Sequence, residues 1–406
     1  MQPLLPAPKN SILDLVVRAW HAEQAVTFAI RPTVRIGSAT LIPVAIDNGN
    51  DALKGATLRR DSELPDDVPT RSVLTTIRIP TAFGIAQEIQ GYQEVTYRCD
   101  GVTFWIGATA LAHAGDALRL GPTLQRLSDE RQRWCIGAGI VEVLRSAGYP
   151  PGEYQIALTL AVPNTEIVIE RDAKGVEHLT LDSLTREALT RHVKGTSWQI
   201  TRNDDTRQPE AWLIRVGAVL PQAQTTGTVI AITRAPNGKF LLDLAGMRVI
   251  DIGGGDLHIC DVGFQPAQLI NRRAGDGTIR IARALRHDRR FTQVIRNDVE
   301  AQHTLVQRSI TRAGRPISIA EDVQRVVASK GNAMVADVLA ELRDSSQLVA
   351  ITGGGVLLLH DLLLEVLQHE AKEPGRDYLL ITGPLASHLN VIGVLFGLIF
   401  RAAGKE

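Results

Sequence analysis

The chain has 406 residues, 44% of them hydrophobic and 22% charged, with 44 basic residues set against 44 acidic ones. That length allows two or more domains, and the balanced charge argues against the broad basic field of a dedicated nucleic-acid binder. Cys99, Cys135 and Cys260 form no C-x-x-C pair, which points to neither a disulfide framework nor a zinc site and favours a reducing, cytoplasmic setting.

The first ten residues lack the positive-then-apolar order of a secretory signal. Residues 1–40 read as a distinct lead-in of unknown role. Its helical pattern, "SILDLVVRAWHAEQAVTFAI", has Ser11 as a plausible N-cap. From residue 41 the rhythm changes to strand-like runs: "LIPVAID", "VLTTIRIP" and "VTFWIGATA". "ERQRWCIGAGIVEVLRSAG" predicts a helix over 130–148, where Gly137 and Gly139 signal close packing and not nucleotide binding. "YQIALTLAVPN" is the next strand. Residues 167–247 read as a β-rich insertion with one short helix and a turn at Pro236-Asn237-Gly238.

At 248 another apolar strand leads into "DIGGGDLHICDVG". Helical patterns follow at about 277–310 and 318–344. Then come a strand, "QLVAI", the turn "TGGG" and the helix "VLLLHDLLLEVLQHE". The uncharged run 378–400 is long enough to span a bilayer, but Gly383-Pro384, Ser387, His388 and Asn390 divide it. It reads as a buried strand, a loop and an apolar helix, so no membrane span is expected. Strands alternating with helices predict an α/β protein with mixed sheets. No short-period repeat of a solenoid is present.

Three loops carry candidate chemistry. The first, "DNGNDALK", packs Asp47, Asn48, Gly49, Asn50, Asp51 and Lys54 behind a strand; it is either a hairpin turn or a loop holding a phosphate and its metal. The second, "DIGGGDL", sets Asp251 before Gly253, Gly254, Gly255 and Asp256, with strand-like sequence on both sides. Glycines there let backbone N–H groups approach an anion, although a glycine-rich hairpin explains the pattern equally well. In the third, a strand feeds Gly353, Gly354 and Gly355 and then a helix, whose N-terminus adds positive potential. No G-x-x-x-x-G-K-[ST] occurs in the chain.

In this order the loops resemble the two phosphate loops and the adenosine loop of the actin-fold ATPases, a superfamily that includes actin, sugar kinases and heat-shock chaperone ATPases. The likeness is closer to bacterial and archaeal actins of the plasmid-partition (ParM-like) type. "DNGNDALK" is similar to their D-x-G-x-x-x-x-K. "FWIGATA", "LAVPNTE" and "AVLPQAQTTG" resemble further segments of theirs, so the likeness spans about 41–406.

The resemblance implies an actin-like ATPase fold, with two lobes of mixed sheets flanked by helices around an interdomain nucleotide cleft. Domain I would cover 41–247 and domain II 248–380, with 381–406 returning to domain I. It implies ATP and Mg²⁺ as ligands, with Asp47 and Asp251 holding the metal largely through water and Lys54 neutralising phosphate charge. The glycines of the second loop would cradle phosphate, and those of the third would admit adenosine. Glu166 and Asp251 are the catalytic candidates, Glu166 by orienting the attacking water. Partners would be further copies of the chain in a head-to-tail polymer and a DNA-binding adaptor.

Asp256 and His258 depart from the threonine, spacer and acid usual after the second glycine loop. Asp256 either joins the metal's hydration shell or adds repulsive charge, and His258 reads as a satisfied buried histidine. Two other readings stay open: a small-molecule kinase on the same fold, and a nucleotide-binding scaffold that hydrolyses slowly.

Overall fold

The computed structural model describes residues 6–49, 51–61, 71–86, 94–113, 116–117, 123–171, 175, 177–204, 208–242, 244–264, 267–312, 315–343, 347–370 and 377–404. Its contacts divide the chain into two units. The first comprises Pro8–Asn48, Ala52–Leu242 and Asn390–Glu406; the second comprises Met1–Ala7, Gly49–Asp51 and Asp243–Leu389.

In the first unit, helix α1 (Ile12–His21) starts where the Ser11 hydroxyl accepts the Asp14 N–H at 3.0 Å, the N-cap expected from the sequence. It buries Ile12, Leu13 and Val16 and packs on the helix at 224–233, so residues 8–40 are part of this unit. Strands β1 (Ala39–Asn48), β2 (Ala52–Arg60) and β3 (Ser72–Pro80) follow as antiparallel neighbours. Strand β4 (Val102–Ile106) leads into helix α2 (Gly107–Ala112), and the chain continues through α3 (Thr123–Ser128) and α4 (Glu130–Ser146) to β5 (Glu153–Val162). β5 lies parallel to β1, with Leu160 beside Ile46.

Helix α4 lies on this sheet through its glycines. A Cβ added at Gly139 would meet Leu53 at 2.6 Å, and one at Gly137 would meet Ile200 at 2.8 Å. These are the close packing contacts the sequence suggested. Between 167 and 242 come a two-stranded hairpin (Ile167–Arg171 with Glu177–Leu181), α5 (Ser183–His192), β6 (Ser197–Asn203), β7 (Glu210–Val219), β8 (Gln222–Ala223) and α6 (Gln224–Thr233). β7 and β8 are not peripheral, for both pair parallel to β5. The core between sheet and helices includes Val44, Ile46, Ile140, Ile156, Leu158 and Trp212.

The second unit begins with β9 (Gly246–Ile252), β10 (Asp256–Phe264) and β11 (Ala267–Asp276), again antiparallel neighbours. Helices α7 (Ile279–Arg286), α8 (Asp298–Gln307) and α9 (Ala320–Arg343) lead to β12 (Leu348–Thr352), which pairs parallel to β9. Helix α10 (Gly355–Glu370) then returns the chain to β13 (Tyr378–Leu380), parallel to β12. The sheet order is β11-β10-β9-β12-β13. The first unit has the same plan, β3-β2-β1-β5 and then β7 and β8. In each unit the first strand of a hairpin also runs parallel to a later strand, β1 to β5 and β9 to β12.

Helix α11 (Leu385–Ala402) closes the chain. Residues up to Leu389 group with the second unit and those from Asn390 with the first. In the first unit it crosses α6 backbone to backbone: a Cβ at Gly393 would lie 1.7 Å from the Gly227 carbonyl oxygen. The Thr228 hydroxyl donates to Asn390 Oδ1 at 2.7 Å beside that crossing. α11 is long and apolar enough to cross a membrane, and 78% of it is buried within the protein. Strand, loop and helix fall where the sequence placed them over 378–400.

Candidate functional site

In the second unit, β9 carries Asp251 to its C-terminal end, and the glycines at 253–255 turn the chain into β10. Every carbonyl of the turn is engaged. Gly253 O accepts the Thr278 N–H at 3.0 Å, Gly255 O accepts the Gly277 N–H at 2.9 Å, and Gly254 O accepts the Ile279 N–H at 2.7 Å. Gln302 Nε2, on α8, donates to the same Gly254 oxygen at 2.7 Å. A loop tied in this way presents no carbonyl to repel an anion, as a backbone anion cradle requires.

The third loop packs directly on the second. Asp251 stands opposite Thr352 in the parallel pairing, and the next residue, Gly353, has φ +99°. A Cβ on Gly353 would lie 2.2 Å from Asp251 Oδ1 and 2.5 Å from the Ile252 carbonyl oxygen; one on Gly355 would lie 2.4 Å from Ile252 Cγ2. Glycine is required here by contact as well as by φ. Ala386 O accepts the Gly353 N–H at 3.1 Å, which fixes the loop from the other side. α10 begins at Gly355, so its positive end lies at this loop.

The tip of the first loop, Gly49–Asp51, also belongs to this unit. Cβ atoms added at Gly254 and Gly354 would lie 2.5 Å from Asp51 Cβ and 3.6 Å from Asp51 Oδ2. Asn50 lies outside the described residues. The second unit alone therefore gathers Asp51, Asp251, Gly253, Gly254, Gly255, Gly353, Gly354 and Gly355.

His258, opposite Asp251 in the hairpin, departs from its expected satisfied burial. Its side chain is 26% exposed, and Nε2 is 3.8 Å from Asp256 Oδ2. Nδ1 is buried with no hydrogen-bond partner among the described residues. Strand alternation correctly placed the ring on one face but could not supply a partner for that nitrogen.

In the first unit, Asp47 and Lys54 face each other across the β1–β2 hairpin, so the first loop is a hairpin whatever it binds. Asp47 is 1% exposed. Lys54 Nζ approaches its Oδ2 at 3.4 Å, and Gln224 Nε2 donates to its Oδ1 at 2.9 Å. Asn48 turns inward: its Nδ2 lies 3.4 Å from Gln132 Oε1, and its carbonyl accepts Arg126 Nη1 at 2.9 Å. Gln224 was not anticipated. The only signal for it was its place at the start of a helix directly after a strand, in "PQAQTTG".

Glu166 ends a one-turn helix, Asn164–Glu166, after β5 and is 6% exposed. Its Oε1 accepts the Thr123 N–H at the start of α3 at 2.6 Å, and its Oε2 accepts the Thr185 hydroxyl of α5 at 2.9 Å. Those bonds anchor two helices, and each oxygen keeps a lone pair for a further donor.

Among the described residues no group of three or more His, Cys, Asp or Glu is placed to hold a metal. A carboxylate such as that of Asp251, at a hairpin end beside glycine carbonyls that are tied back, fits Mg²⁺, which keeps several waters and takes the rest of its ligands from phosphate.

No family model and no curated protein matches the chain. Solved structures do. An archaeal actin homolog in complex with ADP is 15% identical with a TM-score of 0.58, covering 89% of this chain and 99% of its own. ParM of Bacillus thuringiensis with ATP is 12% identical at TM-score 0.59, again over 89% and 99%. A ParM from Clostridium botulinum, determined as a 15-stranded filament, is 13% identical at TM-score 0.56 over 87% and 98%. Shared strand order in both units, the acid-ended hairpins and these near-full-length superpositions lead to one conclusion: the chain has the actin fold, in common with actin-like proteins of the ParM type.

Proposed function

We propose that this chain is a magnesium-dependent ATPase that assembles head to tail into filaments. Its task would be to segregate plasmid or other DNA through an adaptor, or to do related cytoskeletal work in the cytoplasm. The observation that carries the nucleotide reading is the loop set of the second unit. There, three glycine carbonyls are tied back into the protein, and Asp251 is pressed against Gly353 at the start of α10.

When bound, Mg·ATP supplies a phosphoanhydride whose charge the metal partly neutralises. Asp251 and Asp47 would hold waters of the metal, and Lys54 would provide a compact positive charge. Backbone N–H groups of the second loop take phosphate oxygens, while Gly353, Gly354 and Gly355 make room for adenosine. Glu166 orients a water through the lone pairs left by Thr123 and Thr185. Assembly is supported by the shared fold and by the filament formed by the Clostridium botulinum protein; a head-to-tail contact that does not close on itself propagates as a polymer.

Sedimentation with Mg·ATP, Mg·ADP and no nucleotide, alongside phosphate release, tests the proposal. Nucleotide-dependent pelleting, with filaments in negative stain and phosphate release, is expected. ATP bound by a protein that never pellets would remove the filament reading and favour a kinase or a docking protein.

A further inference from the structure

Asp51 does not project away from the loops that would receive an anion; it lies on them. Its Cβ occupies the space beside Gly254, where an added Cβ would sit 2.5 Å from Asp51 Cβ and 2.9 Å from Asp51 Cγ. Its Oδ2 extends toward Gly354, the residue before α10. Gly254 cannot recede, because Ile279 N–H and Gln302 Nε2 both hold its carbonyl at 2.7 Å. A second carboxylate, that of Asp251, already borders Gly353 in the same unit.

A carboxylate set between tied-back glycines and the positive end of a 16-residue helix has the electrostatic surroundings that a phosphate would seek. We infer that Asp51 is a built-in competitor for this cradle: without nucleotide its carboxylate stands in the anion's place between Gly254 and Gly354, and the phosphates must displace it. The inference rests on the nucleotide reading given above and makes Asp51 a determinant of affinity. Its effect grows with the negative charge of the ligand, because each added phosphate charge meets a side chain of the same sign. It has no effect on the neutral nucleoside.

The test is calorimetric binding of ATP, ADP and adenosine, at fixed Mg²⁺, to the full chain and to Asp51→Asn and Asp51→Gly. Asparagine keeps the size and removes the charge; glycine removes the side chain entirely. Both variants are expected to bind ATP about tenfold more tightly, ADP by a smaller factor, and adenosine unchanged. Wild-type binding of ATP with equal or weaker binding by both variants overturns the inference, and weaker binding would make Asp51 a ligand of the metal or nucleotide. A gain of the same size for adenosine also overturns it, since charge would not be the cause. ATP bound by none of the three proteins, each with a folded circular-dichroism spectrum, would remove the nucleotide reading and the inference together.

Discussion

Gly353→Ala measures how rigidly the second and third loops are packed. At φ +99° any residue with a Cβ is strained, by about 1–2 kcal/mol. The added methyl would lie 2.2 Å from Asp251 Oδ1, 2.5 Å from Ile252 O and 2.7 Å from Ile252 C. Two of those three atoms are backbone, so no rotamer change relieves the contact, and forced overpacking adds about 1–3 kcal/mol. The expected loss is about 2–5 kcal/mol.

Gly101→Ala is the control. Gly101 has φ +81°, and nothing lies within 4 Å of a Cβ added there, so it carries the backbone strain alone. All five tryptophans, at 20, 105, 134, 198 and 212, lie in the first unit. In urea titrations their fluorescence follows that unit, while far-ultraviolet circular dichroism follows both. Gly101→Ala should shift the fluorescence transition modestly. Gly353→Ala should shift the circular-dichroism transition further, leave tryptophan fluorescence nearly unchanged and weaken ATP binding. Equal, small losses for the two variants would refute the claim that Gly353 is wedged against Asp251 and Ile252.

Two further predictions concern the first unit. Glu166→Ala strips the acceptor from the Thr123 N–H, while the Thr185 hydroxyl keeps Asp182 Oδ2 at 2.9 Å, and should cost about 1–3 kcal/mol, whereas Glu166→Gln keeps one carbonyl acceptor and most of that stability. A fall of about 100-fold in ATP turnover by a stable Glu166→Gln protein would assign it the water-orienting role; unchanged turnover would leave it an anchor of α3 and α5. Asp129 caps α4 by accepting the Arg131 N–H at 3.0 Å, and the hydrogen bond from the Arg131 side chain holds its carboxyl below the usual Asp value of 3.8. With the folded value depressed, the contribution is present above the unfolded pKa and is lost as pH falls through the folded one. Asp129→Ala should therefore cost about 1 kcal/mol at neutral pH, and its Tm should converge on that of the wild type under acid conditions.

The turns were legible because their chemistry is local. A strand ending in an acid and then three glycines needs a tight, Cβ-free reversal, and the reading of 249–262 as strand, turn and strand required only that stretch. The helix at 130–148 was legible for the same reason, its glycines marking the face that meets Leu53 and Ile200. What did not show in the sequence was which separated segments meet. Gln224 reaches Asp47 only because β8 pairs with β5 and β5 with β1, two non-local registers that no periodicity within a segment encodes.

The same limit hid the repetition of the strand plan. Asp47 and Asp251 stand in units with no visible sequence repeat, yet each nears the end of a hairpin's first strand, and that strand runs parallel to a later one, β1 to β5 and β9 to β12. Strand order is set by hydrogen-bonding partners and the handedness of crossovers, which many unrelated sequences satisfy, so the topology recurs while the residues diverge. The acid at the strand end is tied to the turn beside it and can be found by eye. Its neighbours are tied to the sheet, which is why Asp51 was readable as a loop residue and its place on Gly254 was not.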